Sequence, residues 1–232
     1  REELKAYANG LKELGKGTIE LALTATAAEL SEEEYALLDF LLTESGRPVT
    51  WLGVVSRDDK PEAGPDLLRR AEPLIKRGGI PQVTCRPFVI QINLRNPFIF
   101  ANHPSWNPVF NRSTEEQIRV YRDPAFRQAF RTELEKPRIF SGRWERLEVK
   151  EVSNPAMKAL EGKTVAEIAR MRGKDGLDTF LDLGIEDELK IEYTIVLFNA
   201  NDDLIPALIT DPRTLIGLSD GGAHVDMLCD AG

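Results

Sequence analysis

Histidine and cysteine are scarce in this 232-residue chain, with His103, His224, Cys85 and Cys229 the complete set. Two cysteines are too few for a disulfide framework at this length, so a reducing compartment fits and a cytoplasmic protein is expected. Two histidines cannot assemble a histidine-rich zinc site from this chain alone. No run of about 18 apolar residues occurs, so no transmembrane helix is expected, and no signal peptide is visible. Arg1 stands where a start methionine would, and the chain stops at Ala231-Gly232 just after a motif, so both ends are expected to be cut from a longer protein. Positive charge is the minority: 30 Lys and Arg against 38 Asp and Glu give a net charge of −8. That balance argues against nucleic acid or a membrane surface as partner. The basic-rich stretch Arg119 to Arg146 interleaves Asp123, Glu133 and Glu135 and reads as a solvated helix surface. Finally, no glycine-rich phosphate loop follows any strand-like run, which weakens a nucleotide-binding reading.

What is present is an ordinary globular composition, 42% hydrophobic and 29% charged. Apolar residues at Leu4, Tyr7, Ala8, Leu11 and Leu14 predict a helix over 2–14, ended by Gly15 and Gly17. A strand is expected over 18–23. Ser31 and Glu34 form a capping box for a helix carrying Tyr35, Leu38, Leu41 and Leu42, closed by Gly46. A second strand over 48–55, a helix over 65–76 and a third strand over 82–86 follow. Strand and helix in alternation predict a parallel sheet. The segment 93–111 reads as a long loop with Phe98, Phe100, Trp106 and Phe110 as anchors, more a small core than a substrate platform. Helix is expected over 114–134, one or two extra strands over 137–152, and helices over 164–169 and 177–183, with Thr164 and Glu167 a second capping box. A strand over 191–198, a helix over 202–209 and a last strand over 214–219 complete the pattern. The expectation is a single α/β domain over 1–232, the C-terminal half of a (β/α)8 TIM-type barrel, with an insertion at about 93–160. An open doubly wound sheet is the alternative.

The informative segment is Leu218-Ser-Asp-Gly-Gly-Ala-His224. A carboxylate at the C-terminal end of a barrel strand points into the active-site mouth, which makes Asp220 a candidate; a helix cap or turn aspartate is the bland alternative. Gly221 and Gly222 permit close approach of a ligand to the backbone. His224, four residues after Asp220, has a spacing that metal ligands use, although a lone histidine is more often a hydrogen-bonded packing residue. His103 reads as loop packing. Cys85 and Cys229 read as small buried hydrophobes. Glu20 and Glu192 are charges inside apolar strand runs, either functional or solvated at strand ends. Arg86, expected at a strand end, is placed either to hold a substrate carboxylate or to form a surface ion pair.

The run Gly217 to His224, followed by Val225-Asp-Met-Leu-Cys-Asp-Ala231, resembles the amidohydrolase superfamily, and within it the D-aminoacylases, or N-acyl-D-amino-acid deacylases. Leu14 to Glu20, Ser45 to Thr50, and Leu160 to Ala169 with Asp178 to Asp182 resemble other stretches of that branch. The resemblance implies a (β/α)8 barrel, zinc or a similar divalent metal, and hydrolysis of a linear amide such as an N-acyl amino acid. It implies Asp220 as general base on an activated water, then as proton donor to the leaving amine. Substrate contacts are expected from Arg86, Ser219, Gly221, Gly222 and His224. The strands that carry histidines in the family correspond here to Ile19–Leu23 and Thr50–Val55, which have none. Either metal is bound differently, through Asp220 and Glu20, or the site is lost and the barrel serves as a non-catalytic scaffold. Cyclic amide opening or deamination are the rival reactions within the superfamily.

Overall fold

The structure is a computed structural model that describes residues 1–23, 28–136, 140, 142–217 and 229–230. In chain order the elements are α1 (Glu2–Leu14), β1 (Ile19–Ala22), α2 (Glu32–Ser45), β2 (Val49–Val54), α3 (Ala63–Ile75), β3 (Gly79–Val83) and β4 (Phe88–Asn93). Then come α4 (Thr114–Arg122), α5 (Pro124–Glu133), β5 (Leu147–Glu151), α6 (Val165–Arg172), α7 (Gly176–Glu186), β6 (Glu192–Phe198), α8 (Ile205–Ile209), β7 (Leu215–Ile216) and β8 (Cys229–Asp230). The strands form two four-stranded sheets, β1-β2-β3-β7 and β5-β6-β4-β8. The chain divides into two compact units, one centred on Arg1–Phe88 with the stretch from Phe198 to Gly217, the other on Val89–Leu197. The second unit covers the expected insertion and extends past it on both sides.

The first unit follows the predicted alternation. Gly15 ends α1 in the left-handed conformation, and the Ser31–Glu34 capping box opens α2. Every pairing in the sheet is parallel: Ile19 lies opposite Val49, Val49 opposite Gly79, and Gln82 opposite Leu215. Side chains alternate across a strand, so Val49 and Trp51 point to one face of β2. There they pack with Val54 and Val83 against Leu38, Leu41 and Leu42 of α2, Leu67, Leu68 and Leu74 of α3, and Leu208 of α8. Burial of side chains this size contributes roughly 1.5–3 kcal/mol each before chain entropy is set against it. Thr50 and Gln82, one register step away, point to the opposite face. On the short last strand Leu215 and Ile216 are 50% and 55% exposed. Among the described residues, the outer edges of β1 and β7 pair with no further strand.

The second unit departs from the sequence reading in three ways. The helix expected over 114–134 is two helices: Pro124 cannot donate to a continuing helix, so Asp123 ends α4 and caps α5, accepting from the Ala125 N–H at 2.8 Å. The strand expected over 191–198 does not join the parallel sheet; β6 pairs antiparallel with β5. A strand not anticipated, β4, lies beside it. Of the expected aromatic anchors, Phe100 and Trp106 are buried in a small core, while Phe98 is exposed. Phe100 stacks on Trp106 at 4.1 Å between ring centres, with Phe130 and Phe140 edge-on to Phe100 at 5.5 and 5.1 Å. The polar ends of buried tyrosines find partners: Tyr121 donates to the Leu94 carbonyl at 2.7 Å and Tyr193 to that of Phe180 at 3.1 Å. Arg127 fastens α5 to α7 through Asp178 at 2.8 Å and Asp182 at 2.7 Å. Burial alone would lower the Arg127 pKa, but the two carboxylates outweigh it and hold the group charged.

Candidate active site

Glu20 sits on β1 one residue from Ile19, on the same face of the sheet as its register partner Thr50. That face is opposite the helices, and Glu20 is exposed on it. Gln82, buried, reaches back across two strands. Its Nε2 donates to Glu20 Oε1 at 2.9 Å and to Thr50 Oγ1 at 2.8 Å. Thr50 in turn donates its hydroxyl proton to the Ile80 carbonyl at 2.8 Å. A carbonyl only accepts, so the hydroxyl is committed and can only accept from Gln82. The carboxamide orientation and the acceptor role of Glu20 Oε1 follow from this. Glu20 Oε2 has no hydrogen-bond partner among the described residues, which leaves an anionic oxygen available on an open face.

Gly217, at the end of β7, donates to the Val83 carbonyl at 3.1 Å. A Cβ at Gly217 would stand 2.7 Å from Gln82 Oε1, closer than the two can approach. Gln82 therefore touches β1, β2 and the end of β7 with one side chain. The loops that leave β2 and β3 are stitched by Asn199, buried and in a left-handed conformation. Its Oδ1 accepts from the Ser56 N–H at 2.7 Å and its Nδ2 donates to Thr84 Oγ1 at 2.5 Å. The Ser56 hydroxyl is buried with no partner among the described residues. Next to it Arg57 is bound by Asp59 at 2.6 Å and lies 3.7 Å from Glu29. The hydrogen bond to Asp59 raises its pKa against the opposing effect of burial.

Of the residues singled out in the sequence, Ser219, Asp220, Gly221, Gly222 and His224 lie outside the described residues. Arg86 is not at a strand end: β3 stops at Val83, and Arg86 is exposed in the turn beyond, its carbonyl accepting from Thr84 Oγ1 at 3.2 Å. Cys85 is exposed in the same turn and not a buried hydrophobe. Pro87 helps explain both, since a strand's ladder is difficult to continue into a residue without an N–H. His103 packs in the aromatic core of the second unit, its Nδ1 3.3 Å from Glu133 Oε2. Glu192 opens β6, half-buried, accepting from Asn93 Nδ2 at 2.9 Å. Burial raises its pKa, the Asn93 bond opposes this, and Glu151 adds to it. Gln82 and Thr50 escaped notice, although polar residues inside the strands Val49–Val54 and Gly79–Val83 were the available signal.

A surface cavity of about 250 Å³ in the second unit is lined by Ser153, Asn154, Glu186, Asp187, Glu188 and Lys190. Its carboxylates are already engaged: Asp187 by the Ser153 and Asn154 N–H groups, Glu186 by Arg172 and Glu188 by Lys190. It offers no reactive group, so the polar face of the parallel sheet is the better candidate. No group of three or more His, Cys, Asp or Glu side chains fit to hold a metal ion occurs among the described residues. Among the same residues no helix is long and apolar enough to cross a membrane.

No family model matches the chain, and no solved structure matches it. Similar proteins include uncharacterized proteins of Mycobacterium bovis and of two strains of Mycobacterium tuberculosis, each 30% identical over 105 residues. The match covers 44% of this chain and spans only 17% of the length of each of those relatives.

Proposed function

We propose that this chain is part of a metal-dependent amidohydrolase that cleaves a linear amide of the N-acyl-D-amino-acid type. The observation that carries the reading is the Glu20 carboxylate, fixed by Gln82 on the face of a parallel sheet that its helices leave open. A parallel sheet with its helices packed against one face is how the wall of a (β/α)8 barrel is built. The likeness of Gly217 to His224 to the amidohydrolase motif is the second support. The mycobacterial relatives, being uncharacterized, add nothing to the choice of reaction.

Glu20 fits one ligand position for a divalent metal: a hard carboxylate oxygen, with its other oxygen held in place. Asp220 is the second ligand in this reading. When bound, such an ion supplies Lewis acidity and a more acidic water. Asp220 would act as general base toward a water attacking the amide carbon, and as proton donor to the nitrogen that leaves as the C–N bond breaks. Arg86 is suited to a substrate carboxylate through paired N–H donors, and Ser219, Gly221, Gly222 and His224 complete the substrate contacts. The cytoplasm is the proposed compartment.

The test is hydrolysis of N-acyl-D-amino acids by the complete protein, together with its metal content after exhaustive buffer exchange. Asp220→Asn should lower turnover about 100-fold or more, the scale of losing a general base. Full activity in that variant would sink the assignment. A second reading, a non-catalytic scaffold, is favoured by the missing histidines on Ile19–Leu23 and Thr50–Val55. A complete protein that neither retains nor takes up metal decides for it.

A further inference from the structure

We infer that the hydroxyl of Ser56, just past the end of β2, donates to the acyl carbonyl oxygen of the amide, so that the uncharged acyl half of the substrate lies at this strand end. The inference rests on the amide-hydrolase reading and deepens it on the substrate side; no metal ligand enters it. Ligands of parallel α/β sheets bind beyond the carboxyl ends of the strands, and Ser56 stands at such an end. Its backbone is already used by Asn199. The Ser56 N–H donates to Asn199 Oδ1 at 2.7 Å, and the Ser56 carbonyl accepts from the Asn199 N–H at 3.2 Å. The residue is 3% exposed, yet its hydroxyl has no hydrogen-bond partner among the described residues. Buried hydroxyls are nearly always paired, because an unpaired one loses its hydration with nothing to replace it. Alanine would fill the same place without that cost, so the hydroxyl is accounted for by a partner that binds and leaves.

The neighbouring groups decide which chemistry that partner brings. Arg57, next in the chain and nearly buried, donates from Nε and Nη2 to the two oxygens of Asp59 at 3.1 and 2.6 Å. Glu29 lies 3.7 Å from the same guanidinium and accepts from Lys60 at 2.8 Å. Each of these cations thus has a carboxylate, and Asp58 adds a further negative charge to the loop. A substrate carboxylate would meet no surplus positive charge beside Ser56, whereas a carbonyl oxygen needs only the hydroxyl proton. Val55, which precedes Ser56, is buried with Ala28 and Ala63, and the half-buried Phe198 packs against them. Phe88 lies 6.2 Å from Phe198 between ring centres and adds apolar surface suited to a hydrocarbon chain. A hydrocarbon bearing one uncharged hydrogen-bond acceptor is an acyl group, and the amino-acid carboxylate is left to Arg86 on the loop after β3.

The experiment compares wild type and Ser56→Ala in the complete protein by three measurements: the urea midpoint of unfolding, kcat/KM for N-acetyl-D-leucine, and inhibition of that reaction by D-leucine, which lacks the acyl group. Ser56→Ala removes one oxygen and should raise the urea midpoint, because an unpaired buried hydroxyl is gone. It should lower kcat/KM about 3- to 10-fold, the scale of one neutral hydrogen bond, and leave inhibition by D-leucine unchanged. A variant as active as an active wild type overturns the inference and leaves the amide-hydrolase reading intact. So does a lowered urea midpoint, which would show that the hydroxyl serves the fold, or a weakened D-leucine inhibition, which would place the contact on the amino-acid half. A wild type that hydrolyses no N-acyl-D-amino acid overturns the reading and the inference together.

Discussion

Replacing Gly184 with alanine sets two effects against each other. Gly184 lies inside α7, where alanine is ordinarily better than glycine by roughly 0.5–1 kcal/mol. Here a Cβ would meet Leu94 Cδ1 at 2.2 Å, Cγ at 3.3 Å and Cβ at 3.5 Å. Carbon atoms rest about 3.5–4.0 Å apart, and Leu94 is fully buried, so it must leave its rotamer or move the end of β4. Overpacking of this kind costs about 1–3 kcal/mol. The clash outweighs the propensity, and Gly184→Ala should destabilise by up to about 2.5 kcal/mol. In a Leu94→Ala background the two closest atoms are gone and only the Cβ contact at 3.5 Å remains. There the same substitution should stabilise by its propensity gain, up to about 1 kcal/mol. Leu94→Ala itself should cost about 2–5 kcal/mol. Urea unfolding of the four proteins, followed by tryptophan fluorescence and circular dichroism, measures the cycle. An equal effect of Gly184→Ala in both backgrounds would refute the packing argument.

Two further outcomes are expected. Thr164→Ala removes the side chain that accepts from the Glu167 N–H at the start of α6 and should lower unfolding free energy by about 1 kcal/mol in urea titrations; an unchanged midpoint and slope would mean that the cap contributes nothing. Glu192 has its pKa raised by burial, so the folded state holds its proton to higher pH than the unfolded chain does. Stability from this group is complete at low pH and declines as pH rises from the ordinary glutamate pKa through the raised one. Glu192→Gln should flatten that part of the stability–pH curve and stabilise at neutral pH, and a superimposable curve would contradict it.

Where local chemistry decides structure, the sequence was legible. The capping boxes at Ser31 and Thr164 form, with both reciprocal hydrogen bonds in place. Glycine after an amphipathic run ends α1 and α2 as expected. The parallel order of β1, β2 and β3 was readable because strand-length and helix-length runs alternate there, with a glycine before each new strand. What escaped was decided by distant partners. β6 has the same apolar character as a central parallel strand, and only its pairing with β5, far away in sequence, assigns it to the other sheet. The Asp123-Pro124 break was visible and passed over, because the apolar period continues through it at Phe126 and Phe130. Gln82 was missed for a different reason: a neutral amide in a strand gives no alarm until the charge and the hydroxyl it serves are brought beside it.

Asn199 gives the chain a property that its hydrogen bonds alone do not suggest. The polypeptide leaves the parallel sheet after β3, near Thr84, and does not return until Asn199, 115 residues later. At that point the outgoing and incoming strands of chain are tied side chain to side chain, as the neck of a bag is tied. A long excursion closed at its neck costs the sheet little more than a short one, because closure entropy grows only with the logarithm of length. Closure entropy alone therefore sets little limit on the length of the intervening stretch, provided that Ser56, Thr84 and Asn199 keep these bonds.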